Sequence, residues 1–440
     1  MSSSIFLFFT IIFFSSSFVA ESIVPSSKTF KFKNRGDFGK DMVEYDAHYR
    51  ALSLFNSPFQ LCFYNKTPNA FTLALRMGLV ESQSIFRWVW DANRGNPVRE
   101  NATLTFSTDG NLVLADVDGK IAWQTGTANK GVVGLDLLSN GNIVLYDNHG
   151  KFIWQSFEHP SDTLLVGQSL YPNGPNRIIS RTSDVDESEG PYSLVLGKHR
   201  LNLYLKRKNL KKPLLYYTSA WFGTSQGRMT QVLFNTAPES EEAYAYELTL
   251  EYFISNHSSS GRSILGRPKY NSTLSFLRLG SDGSLKIYTL YDRVVYANWE
   301  VTFSLFDLIT GNDGISQCLL PSRCGSFGVC EDEQCVACPT VKGLLGWSKN
   351  CAPPPQRKCN IGKPNKVDYF KIVGVQHFMN DYSKGEGSLK LAECRDKCSE
   401  DCECLGFFYE QDSSKCFLAP VLGTLYKVDD YLPRVAYIKL

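Results

Sequence analysis

The sequence predicts a mainly β protein with a cysteine-rich C-terminal part, and three observations carry this prediction. Residues 109–114 recur as residues 140–145, and residues 118–124 recur as residues 149–155, so a whole unit repeats after 31 residues. Aromatic residues make up 13% of the 440-residue chain, which favours strands. Of the 13 cysteines, twelve lie between Cys318 and Cys416. A fixed period of this size is typical of a repeated supersecondary unit, and the clustered cysteines indicate modules held by disulfides.

Each repeat unit is predicted to be a hairpin. A polar turn with a glycine precedes an alternating strand, and a second glycine turn precedes a strand that ends near Trp123 or Trp154. Because side chains alternate along a strand, Leu112 and Leu114 share one face, while Asn111 and Val113 share the other. We therefore expect one face and the tryptophans to form a core, and the other face to be free to meet a ligand.

The N-terminus predicts export from the cell. Residues 5–14 form an apolar run of the length of a signal-peptide core, and we place the cleavage near Ala20, so that residues 1–20 are a signal peptide. The alternative is a buried N-terminal strand. No later segment approaches the roughly 18 apolar residues of a membrane span, so no membrane anchor is expected. Four Asn-x-Ser/Thr sequons agree with a secreted glycoprotein: Asn65, Asn101, Asn256 and Asn271.

Composition along the chain predicts five segments after the signal peptide. Residues 21–45 are mixed and polar, and we interpret them as an N-terminal arm, whereas residues 46–168 contain the repeat. Residues 169–315 continue the β pattern, with strand candidates at 193–196, 201–205 and 274–279 and a decayed copy of the hairpin at 282–288. Residues 316–360 hold seven cysteines, six of them closely spaced between Cys318 and Cys351. Residues 361–440 contain one predicted helix, with Ser388 as N-cap and residues 389–400 as its body.

Three stretches resemble the plant bulb-type lectins, the curculin-like, mannose-binding family. They are residues 90–97, the two Gly-Asn-x-Val-Leu strands and residues 154–165. The resemblance implies a β-prism lectin domain at 46–168. The order of the segments is similar to that of S-locus glycoproteins and their receptor kinases, and closest to epidermis-specific secreted glycoproteins. It implies an S-locus-like β domain at 169–315, an EGF-like module at 316–360, a PAN/apple domain at 361–440, and a place in the cell wall or apoplast.

The family's mannose motif, Gln-x-Asp-x-Asn-x-Val-x-Tyr, is incomplete in both copies. The first copy keeps Asp109, Asn111 and Val113 but has Ser107 and Ala115 at its ends. The second keeps Asn142, Val144 and Tyr146, has Asn140 in place of the aspartate, and begins with Leu138. Period-2 alternation would place these side chains on one face, where they could bracket sugar hydroxyls. The alternative is that Asp-Gly-Asn and Asn-Gly-Asn persist as hairpin turns.

The pairing of the cysteines is inferred from the resemblance and not from their spacing, because six cysteines permit fifteen pairings. The resemblance implies Cys318–Cys330 and Cys324–Cys335 in the EGF-like module and Cys394–Cys416 and Cys398–Cys404 in the PAN module; Cys338–Cys351 and Cys359–Cys402 would account for the rest. A zinc site at Cys335 and Cys338 is the disfavoured alternative, since no histidine is near and the chain is predicted to be exported. Cys62 is expected to be a buried free cysteine.

Several weaker patterns are set aside. Residues 223–227 match Gly-x-Ser-x-Gly, but no helix is predicted to follow, as an esterase nucleophile elbow requires. His159, Ser161 and Asp162 lie within four residues, but proximity in sequence does not make a catalytic triad, and we interpret them as part of a family loop. The basic run 206–212 is interpreted as a solvated hairpin tip, or alternatively as a contact for acidic wall polysaccharide. A net charge of +2 argues against nucleic acid.

The function predicted is therefore that of a secreted, non-enzymatic protein with a lectin-like scaffold. It would bind glycans, mannose-containing ones among them, or extracellular proteins, and it needs no cofactor and no metal. One alternative is an active mannose-binding lectin that uses Asn140, Asn142, Val144 and Tyr146. Another is a soluble partner or decoy of S-locus-type receptor kinases. The oligomeric state stays open.

Overall fold

The computed structural model describes residues 23–79, 85–208, 210–219, 228–237, 247–254, 260–267, 274–291, 298–308, 314–355, 367–428 and 434–440. Several predictions fall outside them: the signal peptide, the sequons at Asn256 and Asn271, the Gly-x-Ser-x-Gly stretch with its Ser225, and Cys359. Within the described residues the protein is mainly β with one α-helix, as predicted. No helix in these parts of the chain is long and apolar enough to cross a membrane.

The first eleven strands form three sheets around one core, which we call the first prism. The strands are β1 (Phe30–Lys33), β2 (His48–Asn56), β3 (Phe59–Asn65), β4 (Phe71–Met77), β5 (Arg87–Asp91), β6 (Thr103–Phe106), β7 (Leu112–Ala115), β8 (Ile121–Gln124), β9 (Gly134–Leu137), β10 (Ile143–Tyr146) and β11 (Phe152–Gln155). Their sheet orders are β1-β6-β7-β8, β2-β3-β4-β5 and β11-β10-β9. The predicted hairpins are thus confirmed as β7–β8 and β10–β11.

The predicted alternation within the repeat is also confirmed. Leu112 and Leu114 of β7, and Ile143 and Leu145 of β10, are buried in the core of the first prism. The predicted N-terminal arm is integrated into this prism, since Phe30–Lys33 pair in antiparallel register with β6. Its Phe-Lys-Phe-Lys alternation places both phenylalanines against the core.

Three tryptophans close the first prism, one from the edge strand of each sheet. Trp90, Trp123 and Trp154 meet edge to face, with ring centroids 5.7 to 6.3 Å apart and ring planes inclined by 72 to 75°. Edge-to-face pairs of this kind add about 0.5–1.5 kcal/mol each beyond the burial of their area. The repeated tryptophans therefore hold the three sheets together, as the 31-residue period predicted for two of them.

The next twelve strands form a second set of three sheets, the second prism. The strands are β12 (Thr163–Leu165), β13 (Ser169–Leu170), β14 (Arg177–Arg181), β15 (Glu189–Leu196), β16 (Leu201–Leu205), β17 (Leu214–Thr218), β18 (Met229–Ala237), β19 (Glu247–Ile254), β20 (Ser260–Gly266), β21 (Ser275–Leu279), β22 (Leu285–Tyr291) and β23 (Asn298–Ser304). The sheet orders are β12-β21-β22-β23, β13-β18-β19-β20 and β14-β15-β16-β17. The predicted strands at 193–196, 201–205 and 274–279 lie in β15, β16 and β21.

One sheet, β12-β21-β22-β23, is buried on both faces and joins the two prisms. Phe276, Leu290 and Trp299 pack into the core of the first prism. Leu277 and Ile287, from the opposite face, pack into the core of the second. The two prisms therefore share a wall instead of being linked by a flexible connection.

The C-terminal part contains two more sheets and the helix. The elements are β24 (Phe327–Glu331), β25 (Gln334–Thr340), β26 (Gly343–Gly346), β27 (Tyr369–Val373), β28 (Val375–His377), α1 (Leu391–Glu400), β29 (Gly406–Glu410), β30 (Lys415–Ala419), β31 (Gly423–Lys427) and β32 (Arg434–Lys439). The sheet orders are β26-β25-β24-β31-β28 and β27-β32-β29-β30. Because β24 pairs in parallel with β31, the cysteine-rich segment and the C-terminal segment contribute strands to one sheet.

The helix begins two residues later than predicted. Ser388 has a φ of +58°, a left-handed conformation that cannot start a helix as an N-cap. The backbone N–H of Leu389 donates to the Ser414 carbonyl, 3.1 Å away, so this residue is held in a bridge to the neighbouring segment. The Glu393 carboxylate accepts from the Lys390 N–H at 2.8 Å, and α1 starts at Leu391.

Five disulfides lie within the described residues. Four join pairs that the resemblance implies: Cys318–Cys330, Cys324–Cys335, Cys394–Cys416 and Cys398–Cys404. The fifth, Cys338–Cys351, is one of the two pairs expected to account for the remaining cysteines. Cys402 is also disulfide-bonded, while Cys359 lies outside these residues. Cys62 is free and fully buried, as expected, and burial raises the pKa of its thiol to about 12. A thiol with such a pKa stays protonated at neutral pH and is a poor nucleophile.

Candidate carbohydrate-binding site

The two copies of the mannose motif lie on different walls of the first prism. Asp109 and Asn111 lead into β7, whereas Asn140 and Asn142 lead into β10, and these strands belong to different sheets. The copies are therefore two separate candidate sites, not one combined site.

Both copies start in the same tight turn. The Asp109 carboxylate accepts from the Asn111 N–H at 3.0 Å, and the Asn140 side-chain oxygen accepts from the Asn142 N–H at 3.1 Å. Gly110, between them in the first copy, has a φ of +81°, and a Cβ there would lie 2.6 Å from the Val132 Cβ. The Asp-Gly-Asn and Asn-Gly-Asn sequences thus form the hairpin turns that the alternative interpretation describes.

The Asn111 amide is used inside the fold. Its Nδ2 donates to Gln124 Oε1 at 3.0 Å, and its Oδ1 accepts from Thr125 Oγ1 at 3.0 Å and from the Thr127 N–H at 3.1 Å. The residue is only 7% exposed. Asn111 therefore ties the turn before β7 to the end of β8 and the chain beyond it.

Asn142 repeats this arrangement 31 residues later. Its Nδ2 donates to Gln155 Oε1 at 2.8 Å, and its Oδ1 accepts from Ser156 Oγ and from the Phe157 N–H, both at 3.2 Å. It is 3% exposed. Gln124 and Gln155 are residues that the sequence interpretation missed. The signal was available, because each glutamine follows its asparagine by 13 residues in both copies.

The remaining motif residues of the second copy are partly covered. Val144 is buried, although it points away from the core of the prism. The Tyr146 ring lies across Gly134, whose Cβ, if added, would be 2.4 Å from Tyr146 Oη. Lys28, from the short 3₁₀ turn at Ser26–Lys28, places its Nζ 5.7 Å from the centre of the Tyr146 ring. Tyr146 is half-buried, so part of its side chain is what a sugar could still reach in this copy.

The first copy of the motif offers fewer side chains to a sugar than the second. Val113 is half-buried, and its strand ends at Ala115, where the motif requires a tyrosine. The Asp109 carboxylate also accepts from Ser107 Oγ at 2.6 Å, which occupies it within the turn. This wall of the prism therefore lacks both end residues of the motif.

The segment that follows β11, which we call the block after β11, is held by Trp90 and Trp154. The Trp90 indole N–H donates to the His159 carbonyl at 2.9 Å, and the His159 ring stacks on Trp154 with centroids 5.2 Å apart. Burial lowers the pKa of His159. Asp162 is bonded to Thr163 and to arginines and accepts from Ser161 Oγ at 3.5 Å, whereas the His159 ring lies on Trp154, so the three residues do not form a proton relay.

Four charged side chains next to this block join the two prisms. We call them the charge cluster: Asp91, Arg94, Asp162 and Arg181. Arg94 makes a two-point contact with Asp91, with both N···O distances at 2.9 Å. Arg181 of β14 bonds to Asp162 and to Asp91, each at 3.1 Å. Burial alone would raise the pKa of Asp162, but the guanidiniums of Arg94, Arg181 and Arg278 hold that pKa well below its usual range. Asp162 is therefore ionised at neutral pH.

Two sequons lie among the described residues and differ in accessibility. Asn65, at the end of β3, is 6% exposed, and its Nδ2 donates to the Thr67 carbonyl at 3.2 Å. Asn101 lies in a turn before β6, is half-buried, and has no partner for its side-chain amide among the described residues. A glycan is attached through the amide nitrogen and must extend into solvent.

We expect Asn101 to carry a glycan and Asn65 to be unmodified in the secreted protein. Glycopeptide mass spectrometry of the intact sites measures both occupancies. Asn101→Gln should remove a glycan mass from the protein, while Asn65→Gln should leave the total glycan mass unchanged. A glycan found on Asn65 would contradict the burial of that side chain in the folded state.

Comparison with known proteins agrees with this architecture. The family described as D-mannose binding lectin matches residues 87–182. EP1-like glycoprotein 2 of Arabidopsis thaliana is 49% identical over 440 residues, covering 94% of this chain and 95% of that protein. The chain belongs to the EP1-like glycoprotein family. The epidermis-specific secreted glycoprotein EP1 of Daucus carota is 53% identical over 366 residues, covering 80% of this chain and 93% of its own length.

Beyond this family the similarity extends to receptors. The putative receptor protein kinase ZmPK1 of Zea mays is 25% identical over 415 residues, which cover 91% of this chain but 48% of that protein. The EP1-like chain thus matches about half the length of that receptor protein. The likeness to epidermis-specific secreted glycoproteins and, more weakly, to lectin receptor kinases confirms the resemblance derived from the sequence.

Proposed function

We propose that this protein is a secreted, non-enzymatic glycoprotein of the plant cell wall or apoplast that recognises glycans or extracellular proteins on a lectin-like scaffold. Its two mannose motifs would serve the fold, and recognition would use other surfaces. The observation that carries the proposal is the internal use of both motif asparagines, Asn111 and Asn142.

The energetics favour a structural role for these asparagines. A sugar hydroxyl that bonded to Asn142 Oδ1 would displace Ser156 Oγ and the Phe157 N–H from it. A buried polar group left without a partner costs about 1–3 kcal/mol. A monosaccharide that binds with millimolar affinity gains only about 4 kcal/mol in total. Losing two internal bonds would therefore consume most or all of that binding free energy.

The predicted export signals and the relatives support the extracellular part of the proposal. The carrot relative is named a secreted glycoprotein, and the chain has an apolar N-terminal run and four sequons. Five disulfides within the described residues are suited to an oxidising compartment. The match of residues 87–182 to the D-mannose binding lectin family supports binding rather than catalysis.

A glycan array probed with the full secreted chain tests the proposal. We expect Tyr146→Phe, which removes the hydroxyl of the half-buried motif tyrosine in the second copy, to leave the binding pattern unchanged. Tyr204→Phe, at another half-buried tyrosine on β16, is the matched control. Mannoside binding that is lost in Tyr146→Phe but kept in Tyr204→Phe would make the protein an active mannose-binding lectin. Failure to bind any glycan, together with failure to crosslink to any extracellular protein, would overturn the proposal as a whole.

A further inference from the structure

A cleft of about 360 Å³ lies between the two prisms, and we call it the junction cleft. One wall is the block after β11, with Glu158 and Pro160, and the other is the segment that leads into β14, with Pro175, Asn176 and Arg177. Its volume lies at the small end of the roughly 300–1,000 Å³ that small-molecule sites occupy. The mannose motifs play no part in its walls.

The base of the junction cleft is rigid. Arg94, which lines it, is bonded twice to Asp91, and its Nη1 donates to the Ile179 carbonyl of β14 at 2.8 Å. This one side chain therefore connects the first prism to the second beneath the cleft. The walls are held at a fixed separation, so a ligand would meet a preformed site.

The walls offer polar groups that the fold does not use. Within the described parts of the chain, the side chains of Asn176, Arg177 and Glu189 have no hydrogen-bond or ion-pair partner. Glu158 is exposed and has one oxygen bonded, to Gln155 Nε2 at 3.1 Å. An amide, a guanidinium and two carboxylates can together donate to and accept from neighbouring hydroxyls. Such a set of groups is suited to the vicinal hydroxyls of a sugar ring.

The apolar residues that line the junction cleft and the net charge of its lining favour an uncharged sugar as the ligand. Pro160, Pro175 and Ile179 also line the cleft, and they can contact the C–H face of a sugar ring. The lining carries three carboxylates, with Asp91, and two guanidiniums, so its balance is slightly negative. That balance disfavours uronic acids, which are anions at neutral pH, and favours uncharged sugars.

We propose that the junction cleft is a binding site for one or two residues of a neutral glycan. Glu158 and Glu189 accept hydrogen bonds from sugar hydroxyls, Arg177 and Asn176 donate to hydroxyl oxygens, and the prolines pack against the ring. This inference rests on the proposed function and adds to it a position and a ligand class. The site differs from the family motif because it is formed by both prisms.

Three variants test the junction cleft by different means. Arg177→Ala removes a donor, Glu189→Gln removes a charge at nearly constant shape, and Gly174→Phe fills the cleft. A Cβ at Gly174 would meet only the Tyr171 Cβ, at 3.5 Å, so the backbone tolerates the larger residue. Arg35→Ala and Glu400→Gln are matched controls at exposed positions whose side chains have no partner among the described residues. Circular dichroism melting shows whether each variant is folded.

The probes are an array of neutral gluco-, manno-, galacto-, arabino- and xylo-oligosaccharides, with oligogalacturonides as the anionic comparison, followed by titration calorimetry. We expect a neutral oligosaccharide to bind the full-length wild type and each folded cleft variant to weaken it about tenfold or more, since each removes a charged contact or the space. Both controls should retain wild-type affinity.

Three results would overturn the inference. If a glycan binds and none of the folded cleft variants weakens it, the site lies elsewhere, although the proposed function stands. If oligogalacturonides bind more tightly than every neutral probe, the ligand class is wrong. If no glycan binds, the inference fails, and crosslinking to extracellular proteins then decides separately whether the proposed function survives.

Discussion

Replacing Arg181 by methionine should destabilise the protein by about 3–5 kcal/mol, because it leaves a buried negative charge without compensation. Arg181 is 3% exposed, and its guanidinium bonds to Asp91, Asp162 and the Tyr64 hydroxyl. Without it, the two aspartates share Arg94, and Arg278 acts on Asp162 without a direct bond between them among the described residues. Methionine has a similar length and fills much of the space, so the loss reports on charge more than on a cavity.

The measurement is the free energy of unfolding from urea titration followed by circular dichroism. Arg99→Met is the matched control, since Arg99 also bridges two aspartates, Asp116 and Asp118, but its side chain is 46% exposed. An exposed pair of this kind contributes about 0–1 kcal/mol. Adding Asp162→Asn to Arg181→Met removes the uncompensated charge and should recover part of the loss. Equal effects of Arg181→Met and Arg99→Met would show that the charge cluster does not hold the prisms together.

The charge cluster also illustrates what the sequence could not predict. Asp91, Asp162 and Arg181 are separated by 19 to 90 positions and follow no period. Their contact exists only because two prisms share a wall, which no local pattern encodes. The same reason applies to the junction cleft, whose walls come from distant segments with ordinary surface composition.

The repeat, by contrast, was predictable because it determines its own packing. A hairpin with leucines at alternate positions has one apolar face, and a tryptophan at a constant offset closes the prism in each copy. The Phe-Lys-Phe-Lys alternation at 30–33 was an equally readable strand signal within the predicted arm. The motif asparagines were ambiguous in sequence, because an asparagine after a glycine can cap a turn or bind a sugar. The choice depends on Gln124 and Gln155, which become their partners only when β8 and β11 are paired.

The second large effect that we expect is a loss of stability in mild acid that depends on His377. This residue, at the end of β28, is fully buried between the Phe378 and Phe408 rings. Its Nε2 faces the Leu422 carbonyl, so it must donate, and its Nδ1 accepts from the Met379 N–H at 3.4 Å. The neutral ring satisfies both contacts. A proton on Nδ1 would point at another N–H, in a site that water does not reach.

Burial therefore lowers the pKa of His377 from 6.5 to about 3, even though the Leu422 and Val421 carbonyls favour the proton. In the unfolded chain the imidazole takes up a proton near its ordinary pKa, so between these two values the unfolded state binds more protons. The stability is complete above pH 6.5 and falls by about 1.4 kcal/mol for each unit as the pH decreases towards 3. The contribution of Asp162, whose pKa is lowered, is lost only below the unfolded carboxyl value of about 4.

Urea unfolding at pH 7, 6, 5 and 4 covers the range in which the His377 contribution is lost. We expect the wild type to lose stability steadily over this range. His377→Gln, which cannot titrate and can still donate to the Leu422 carbonyl, should be less stable at pH 7 and should lose most of the pH dependence, leaving the part contributed by His159, whose pKa burial also lowers. His149→Gln, at a solvent-exposed histidine, should retain the wild-type slope. If His377→Gln kept the full acid dependence, the proton would bind elsewhere, and the sheet that joins β24, β31 and β28 would not depend on a neutral imidazole.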